Sequence, residues 1–145
     1  MLTSIERIND FLIENKFEGI SKFQNLIWEM ESKIQSGPFN RFNHITLIFD
    51  HKKSLLTYGV NHIKINRNGI YSIHSEIDAL NKLKRYSTTK SSNKKVHLIN
   101  FRFTKFFINN SKPCENCSQR ILQKRKYIST VQYSLSNELF ELERC

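Results

Sequence analysis

Apolar residues in the first part of the chain recur at intervals of three and four. They form two groups, the first being Ile5, Ile8, Phe11 and Leu12 and the second Phe23, Leu26, Ile27, Met30 and Ile34. This spacing is typical of amphipathic helices that turn one apolar side toward a core. We therefore predict two helices before Gly37-Pro38, so that residues 1–36 pack on the rest of the domain.

The pattern then changes to short runs of β-branched and aromatic residues. HITLIFD (44–50) and SLLTYGV (54–60), separated by a polar HKK, predict an antiparallel hairpin. KVHLINFRFTKFFI (95–108) predicts either one strand or two strands that turn near Thr104-Lys105. The second possibility would place an extra hairpin beside the residues that follow.

Two further helices and a last pair of strands complete the pattern. SIHSEIDALNKLKRY (72–86), with Ser72 as a possible N-cap, and CENCSQRILQKRK (114–126) are helical in spacing. YISTVQYS (127–134) and ELFEL (138–142) predict strands, antiparallel if they are neighbours because only about four residues join them. The sequence predicts an α/β fold, a mixed sheet of about five strands flanked by helices.

Length and composition indicate one ordinary domain. A chain of 145 residues can bury one core of moderate size. Hydrophobic residues make up 39% of the chain and charged residues 25%, as in typical globular proteins. We treat residues 1–145 as a single domain, of which 44–145 carry the candidate site.

The positive charge is concentrated in the middle of the chain. The formal net charge is +10, and the segment from His51 to Thr130 holds seventeen Lys and Arg but three acidic residues. Such a basic surface favours phosphate-bearing partners, either nucleotides or nucleic acid. The abundance of Lys with Asn and Ile is equally expected of an A/T-biased genome, so both interpretations stay open.

The sequence favours an intracellular, cytoplasmic location without a membrane partner. No apolar run reaches the roughly 18 residues that a membrane helix needs. Acidic residues interrupt the N-terminal segment MLTSIERINDFLIENK, which is therefore not expected to be a secretory signal. The spacing of Cys114, Cys117 and Cys145 does not indicate a disulfide framework.

Four residues with metal and proton chemistry lie at predicted helix starts. His74 and Glu76 fall in the first turn of one helix, and Cys114 and Cys117 in the first turn of another. Residues three apart share a helix side, so the two cysteines can chelate one ion, and the helix dipole favours their thiolates. Three ligands, with His74 the third, leave one tetrahedral Zn²⁺ position for water, from which Glu76 can take a proton.

The segments HSE (74–76) and PCENC (113–117), with a predicted strand between them, resemble the H-x-E and P-C-x-x-C signature of the zinc-dependent cytidine/deoxycytidylate deaminase superfamily. The resemblance covers nearly the whole chain in its order of helices and strands. It implies a three-layer cytidine deaminase-like fold with a Zn²⁺ cofactor. His74, Cys114 and Cys117 would be the zinc ligands and Glu76 the proton shuttle.

The resemblance also implies a reaction and partners. Members add water to the carbon that bears the exocyclic amine, C4 of cytosine or C6 of adenine, and release ammonia. Asn61 follows the second predicted strand, where many members place an Asn that orients the substrate. A homo-oligomer is expected by resemblance. Ser75 and the long segment FTKFFINNSK (103–112) depart from the pattern and leave the subfamily open.

Three functions remain in view. The predicted terminal hairpin resembles the branch that includes free-cytidine deaminases, which makes a cytosine-type nucleoside or nucleotide the first-choice substrate. The second hypothesis is an enzyme that edits adenosine or cytidine in RNA or single-stranded DNA. The third is a non-catalytic zinc-binding scaffold.

Other residues admit plainer interpretations. Cys114 and Cys117 could form a structural zinc site with Cys145 or His97. We expect His44, His51, His62 and His97 to be solvated or structural rather than catalytic. The phenylalanines of 101–107 are expected in the core, although Phe106 or Phe107 could line a pocket.

Overall fold

The computed structural model describes residues 2–19, 21, 24–26, 28, 43–87, 95–136 and 142–144. Within them, the strands follow the helices in groups of four, two and two along the chain. In order, the elements are α1 (Ser4–Glu14), β1 (Asn43–Phe49), β2 (Leu55–Val60), β3 (His62–Asn66), β4 (Gly69–Ile73), α2 (Ser75–Ser87), β5 (Val96–Phe103), β6 (Ile108–Asn109), α3 (Glu115–Gln123), β7 (Ile128–Ser134) and β8 (Leu142–Arg144).

The main sheet is mixed. Its strands lie in the order β2-β1-β5-β7-β8, and the short β6 pairs with β5 outside that path. β5 and β7 are parallel, and the chain crosses between them through α3, whereas β7 and β8 are antiparallel. The predicted mixed sheet of about five strands and its antiparallel last pair are confirmed, as is the turn of the chain from β5 into β6.

Alternation along the central strands divides the core into two layers, one on each face of the sheet. Leu47, Phe49 and Phe101 pack with Ile8 and Leu12 of α1. The intervening positions face the other way, where Ile48 and Leu98 pack with Leu80 of α2 and Ile121 of α3. Helices therefore cover both faces of the sheet in the part of the chain that is described.

A capping box marks the start of the first helix. The Thr3 side chain accepts a hydrogen bond from the Glu6 N–H at 3.2 Å, and the Glu6 carboxylate accepts one from the Thr3 N–H at 3.1 Å. Residues 21, 24–26 and 28 are helical, and Leu26 joins the core beneath α1. The remainder of the second predicted helix lies outside the described residues.

The segment before α2 differs from the prediction. Residues 62–73 form a separate two-stranded antiparallel sheet, β3 and β4, which was not predicted and which replaces the helix start expected at Ser72. Arg67 and Asn68 form its turn, with Gly69 at a φ of 125°, a value that favours glycine. The helix begins at Ser75, and the His74 carbonyl accepts its first hydrogen bond, from the Asp78 N–H at 3.0 Å.

The last strand also differs in position. β8 spans Leu142–Arg144 and pairs with β7 from Ser134↔Leu142 to Gln132↔Arg144. Most of the strand predicted at 138–142 lies outside the described residues. Over the described part of the chain, no helix has both the length and the apolar character that a membrane crossing requires.

Gly59 allows β2 and α2 to approach very closely. A Cβ at this position would lie 2.2 Å from the Ser75 carbonyl oxygen and 2.3 Å from the Ala79 backbone nitrogen. Both atoms belong to the α2 backbone, which cannot move aside without shifting the helix. The position of the first turn of α2 therefore depends on the absence of a side chain at residue 59.

We expect Gly59→Ala to destabilise the protein by about 3 kcal/mol or more, because the added Cβ would overlap backbone atoms of α2 that cannot move without shifting the helix. Chemical denaturation of both proteins measures the difference. Gly69→Ala is the matched control, because its Cβ has no neighbour within 4 Å and only backbone strain of about 1–2 kcal/mol remains. Equal stability of Gly59→Ala and the parent would contradict the close approach.

Candidate metal centre

His74, Cys114 and Cys117 meet in space. The His74 Nδ1 lies 3.6 Å from the Cys114 Sγ and 3.3 Å from the Cys117 Sγ. The ligand atoms of all three residues lie within 4.8 Å of one another. The predicted grouping of these three residues at metal-binding distance is therefore confirmed.

Two helix starts supply the cluster. His74 joins β4 to α2, and Cys114 is the N-cap of α3, so both lie one position outside the helices rather than in the first turns as predicted. The Cys114 side chain makes no capping hydrogen bond, while its carbonyl accepts one from the Ser118 N–H at 2.8 Å. Cys117 lies in the first turn of α3 and is buried. The thiols thus face His74 past the end of the helix.

The three residues fit a tetrahedral zinc ion. Ligand atoms of such a site lie about 3.6 Å apart when the metal bonds measure 2.0–2.3 Å, close to the two measured Nδ1–Sγ distances. One imidazole and two thiols are donors typical of zinc. Among the described residues, no fourth His, Cys, Asp or Glu belongs to the group. The structural alternative with Cys145 lies outside the described residues.

His97 does not join the cluster. Its Nδ1 lies 2.7 Å from the Thr130 hydroxyl, and its ring packs edge-on against Phe17. It is a structural histidine, as expected. The interpretation in which it completes a structural zinc site is wrong.

Burial opposes ionisation of one ligand. Burial, reinforced by the negative charge of Glu76, raises the pKa of the Cys117 thiol well above its ordinary value. The direction is opposite to the one expected from the helix dipole, which favours the thiolate. Coordination by a divalent cation reverses the balance, because a metal-bound thiol is deprotonated, so metal binding here should release protons.

Glu76 lies beside the three ligands without belonging to the group. It sits in the first turn of α2 with 4% of its surface exposed, and it lines the same cavity as His74 and Cys114. The Ser75 hydroxyl donates a hydrogen bond to its Oε1 at 2.7 Å. A buried carboxylate beside a metal-binding group is thus held by a specific donor.

A buried hydrogen-bond network supports Ser75 and Glu76. The Asn100 Oδ1 accepts from the Thr46 hydroxyl at 2.8 Å and lies 3.2 Å from the Ser75 hydroxyl. The Thr46 and Ser75 hydroxyls are themselves 2.8 Å apart. Because unsatisfied polar groups are costly when buried, these side chains fix one another's orientation.

The same network reaches the segment that leads to Cys114. The Asn100 side-chain amide donates to the Ser111 carbonyl at 2.7 Å, and the Ser111 hydroxyl donates to the Asn100 carbonyl at 2.7 Å. The Ser134 N–H donates to the Ser111 hydroxyl at 2.8 Å. Asn100 of the central strand thereby connects both halves of the site. Sequence analysis missed this residue.

Along β1 and β5, the residue pairs that face this site change from apolar to polar, and the last pair contains the cation of Arg102. The directly opposed pairs on this face are Ile48↔Leu98, Thr46↔Asn100 and His44↔Arg102. The first pair lies in the core under the helices and the second contacts Ser75, while the third lines the cavity. Polar residues at alternate positions of otherwise apolar strands are the sequence signal for this surface.

A cavity of about 630 Å³ opens over the cluster, a volume in the range of small-molecule sites. Its lining residues are His44, Asn61, His62, Ile63, Ser72, Ile73, His74, Glu76, Asn100, Arg102, Asn110, Ser111, Lys112 and Cys114. The segment 110–112 that follows β6 forms one wall. Phe106 and Phe107 are exposed and are not part of the lining.

Asn61 lies in the cavity wall, where a substrate-orienting role remains a prediction. Its Oδ1 accepts a hydrogen bond from the His44 N–H at 3.0 Å, and its own N–H donates to the His44 carbonyl at 3.3 Å. His44 was expected to be structural or solvated, yet it lines the cavity too. Burial, together with the positive charge of Arg102, lowers the pKa of the His44 imidazole, which favours its neutral form.

Comparison of the chain with protein-family models, with curated protein sequences and with solved structures finds no match. The chain itself has a mixed α/β fold and a His/Cys/Cys group that can hold a metal ion, with a buried carboxylate beside it.

We expect His74→Ala, Cys114→Ser and Cys117→Ser each to lower zinc affinity at least about tenfold, because each removes one ligand. Elemental analysis after dialysis against a weak competing chelator measures the zinc content. His51→Ala is the matched control, since His51 is exposed in the β1–β2 turn. Retention of one zinc per chain by His74→Ala would contradict the assignment.

Proposed function

We propose that this chain is a zinc-dependent deaminase that removes the amino group of a cytosine-type nucleoside or nucleotide by hydrolysis. The observation that carries the proposal is a buried Glu76 that lies next to, but outside, a three-residue ligand group and lines a nucleoside-sized cavity with His74 and Cys114. A purely structural zinc site needs neither the cavity nor the carboxylate. The sheet order and the two helix starts support assignment to the cytidine deaminase-like fold.

Each residue has a separate role in this mechanism. His74, Cys114 and Cys117 would hold the zinc ion, which would supply a Lewis acid that makes water acidic enough to react near neutral pH. The Glu76 carboxylate accepts a proton from the water that adds to the carbon bearing the amino group. The carboxylate passes that proton to the adjacent ring nitrogen and then carries the proton of the new hydroxyl to the amino nitrogen, so that the C–N bond breaks, ammonia leaves and the carbonyl forms.

The hydrogen bonds around the cavity assign individual atoms. Ser75 occupies Oε1 of Glu76, so we assign proton transfer to Oε2. The Asn61 carboxamide oxygen is taken by the His44 N–H, which leaves the amide nitrogen as the donor to substrate. The hydrogen bond from Ser75 also keeps the carboxylate from rotating away from the cavity.

The second candidate is the same reaction on adenosine or cytidine within RNA or single-stranded DNA. Its support is the charge of the cavity wall. The described lining residues include two cations, Arg102 and Lys112, and one acidic residue, Glu76. A strand with an unpaired base can place that base in a closed pocket while its phosphates meet these cations. A non-catalytic zinc scaffold is the third candidate, against which the buried Glu76 argues.

We expect purified protein to release ammonia from cytidine, deoxycytidine or their monophosphates, with the matching loss of absorbance of the amino base. A panel that adds adenosine, the free bases and oligomers separates the candidates. Glu76→Gln should lower turnover by about 10²–10⁴-fold and retain zinc, because it removes the proton acceptor but no ligand.

Glu115→Gln is the matched control, as this exposed glutamate does not line the cavity. Turnover on oligomers alone would favour the second candidate. Bound zinc without turnover on any base would favour the third candidate, the non-catalytic zinc-binding scaffold.

We expect Ser75→Ala to lower kcat by about 10–100-fold with little change in KM, since one hydrogen bond to the charged Glu76 is lost. Steady-state kinetics and zinc analysis measure the effect. Ser129→Ala is the control, because its hydroxyl donates to the Val96 carbonyl at 3.2 Å, away from the site. An unchanged kcat in Ser75→Ala would show that the hydroxyl does not position the carboxylate.

A further inference from the structure

The β3–β4 hairpin, residues 62–73, stands apart from the main sheet, and we refer to it as the arm. It forms its own two-stranded sheet, and its residues are exposed except for the partly buried Ile73. A hairpin of this length extends about 14 Å. Because two strands without a core are marginally stable in water, such an arm is expected to be stabilised by what it contacts.

The arm has two chemically different faces, one of which is apolar and carries the exposed Ile63, Ile65 and Ile70. Strand alternation and register place His62, Lys64, Asn66 and Tyr71 on one side, which we call the polar face. Lys64 and Tyr71 are direct cross-strand partners. The Asn66 side-chain amide donates to the Tyr71 hydroxyl at 2.6 Å, which fixes the end of the phenol ring. The polar face therefore combines a cation with an oriented aromatic ring.

The arm is continuous with the cavity. Its first two and last two residues, His62, Ile63, Ser72 and Ile73, line the cavity, and His74 of the metal centre follows directly. A molecule whose base enters the cavity would therefore leave it along the arm. No other part of the described chain joins the metal centre to an exposed strand pair in this way.

The charge along this path has one sign. The arm carries Lys64 and, in its turn, Arg67, and it contains no acidic residue. Arg102 and Lys112 line the cavity itself. Cations on the arm and in the cavity suit a chain of phosphates, and the exposed ring of Tyr71 beside Lys64 suits the face of an unpaired base.

We propose that the arm binds the single-stranded nucleic acid that carries the target base. Lys64 and Arg67 contact phosphates outside the cavity, and Tyr71 stacks with a base next to the target. This inference rests on the proposed function for the identity of the base in the cavity. It extends the proposed reaction from the free nucleoside or nucleotide to the same base carried within a strand.

The test uses full-length, zinc-loaded Glu76→Gln protein, so that the strand is bound without turnover. Fluorescence anisotropy with labelled 12-nucleotide oligodeoxycytidylate and oligocytidylate gives Kd between 50 and 200 mM salt, concentrations over which phosphate contacts weaken strongly. We expect Lys64→Gln with Arg67→Gln to weaken binding at least about tenfold at low salt. The slope of log K against log salt should fall by about 1.4, for two contacts to a single strand.

Two further variants make the result specific. Tyr71→Leu should weaken binding about tenfold or more and leave the salt slope unchanged, because stacking releases no counterions. Lys52→Gln with Lys126→Gln removes the same charge from exposed sites outside the arm and cavity, and should change Kd less than twofold. The side chains altered on the Glu76→Gln background are all exposed, so circular dichroism should show the same fold as for Glu76→Gln alone.

Equal Kd values for the arm variant and its control would overturn the proposal. So would an arm variant that changes the mass of the protein in solution but not its affinity for the strand, since the arm would then be a subunit contact. If the parent protein turns over free cytidine but strand binding does not depend on the arm, the proposed deaminase function stands and the proposed role of the arm is wrong. If strand binding depends on the arm but the parent protein turns over no base, the role of the arm stands and the proposed deaminase function is wrong.

Discussion

The site depends on the close approach of two helix starts above the central strands of the sheet. His74, at the start of α2, meets Cys114 and Cys117 of α3 with Nδ1–Sγ distances of 3.6 and 3.3 Å. Gly59 lets α2 come so close to β2 that a single Cβ would collide with its backbone. Three ligand atoms are thereby brought to tetrahedral spacing by packing that has no metal chemistry of its own.

The polar network beneath the helices explains how a carboxylate can be buried at this point. Asn100 sits in the central strand β5 and contacts Thr46 and Ser75 on one side and Ser111 on the other. Burying hydrogen-bonding groups is tolerable only when each is satisfied, so the network favours a single arrangement. Glu76 is held within that arrangement beside the ligands, as the proposed proton transfer requires.

Much of this could be predicted from sequence, and the limits have physical causes. His74, Cys114 and Cys117 were predictable because ligand chemistry and helix starts are both local signals. Cross-strand partners such as His44 and Arg102 were missed because their pairing depends on the register of distant strands. The arm was missed because the spacing of the residues after Ser72 suits a helix, although the turn signal around Gly69 was present.

The central claim is that the described cluster supplies three ligands and leaves one position to solvent. Zinc K-edge X-ray absorption of the zinc-loaded protein measures this directly. The account predicts two sulfur ligands at about 2.3 Å, one imidazole nitrogen at about 2.0–2.1 Å and one oxygen from water. A third sulfur, or a second imidazole in place of the oxygen, would contradict it and make the zinc structural.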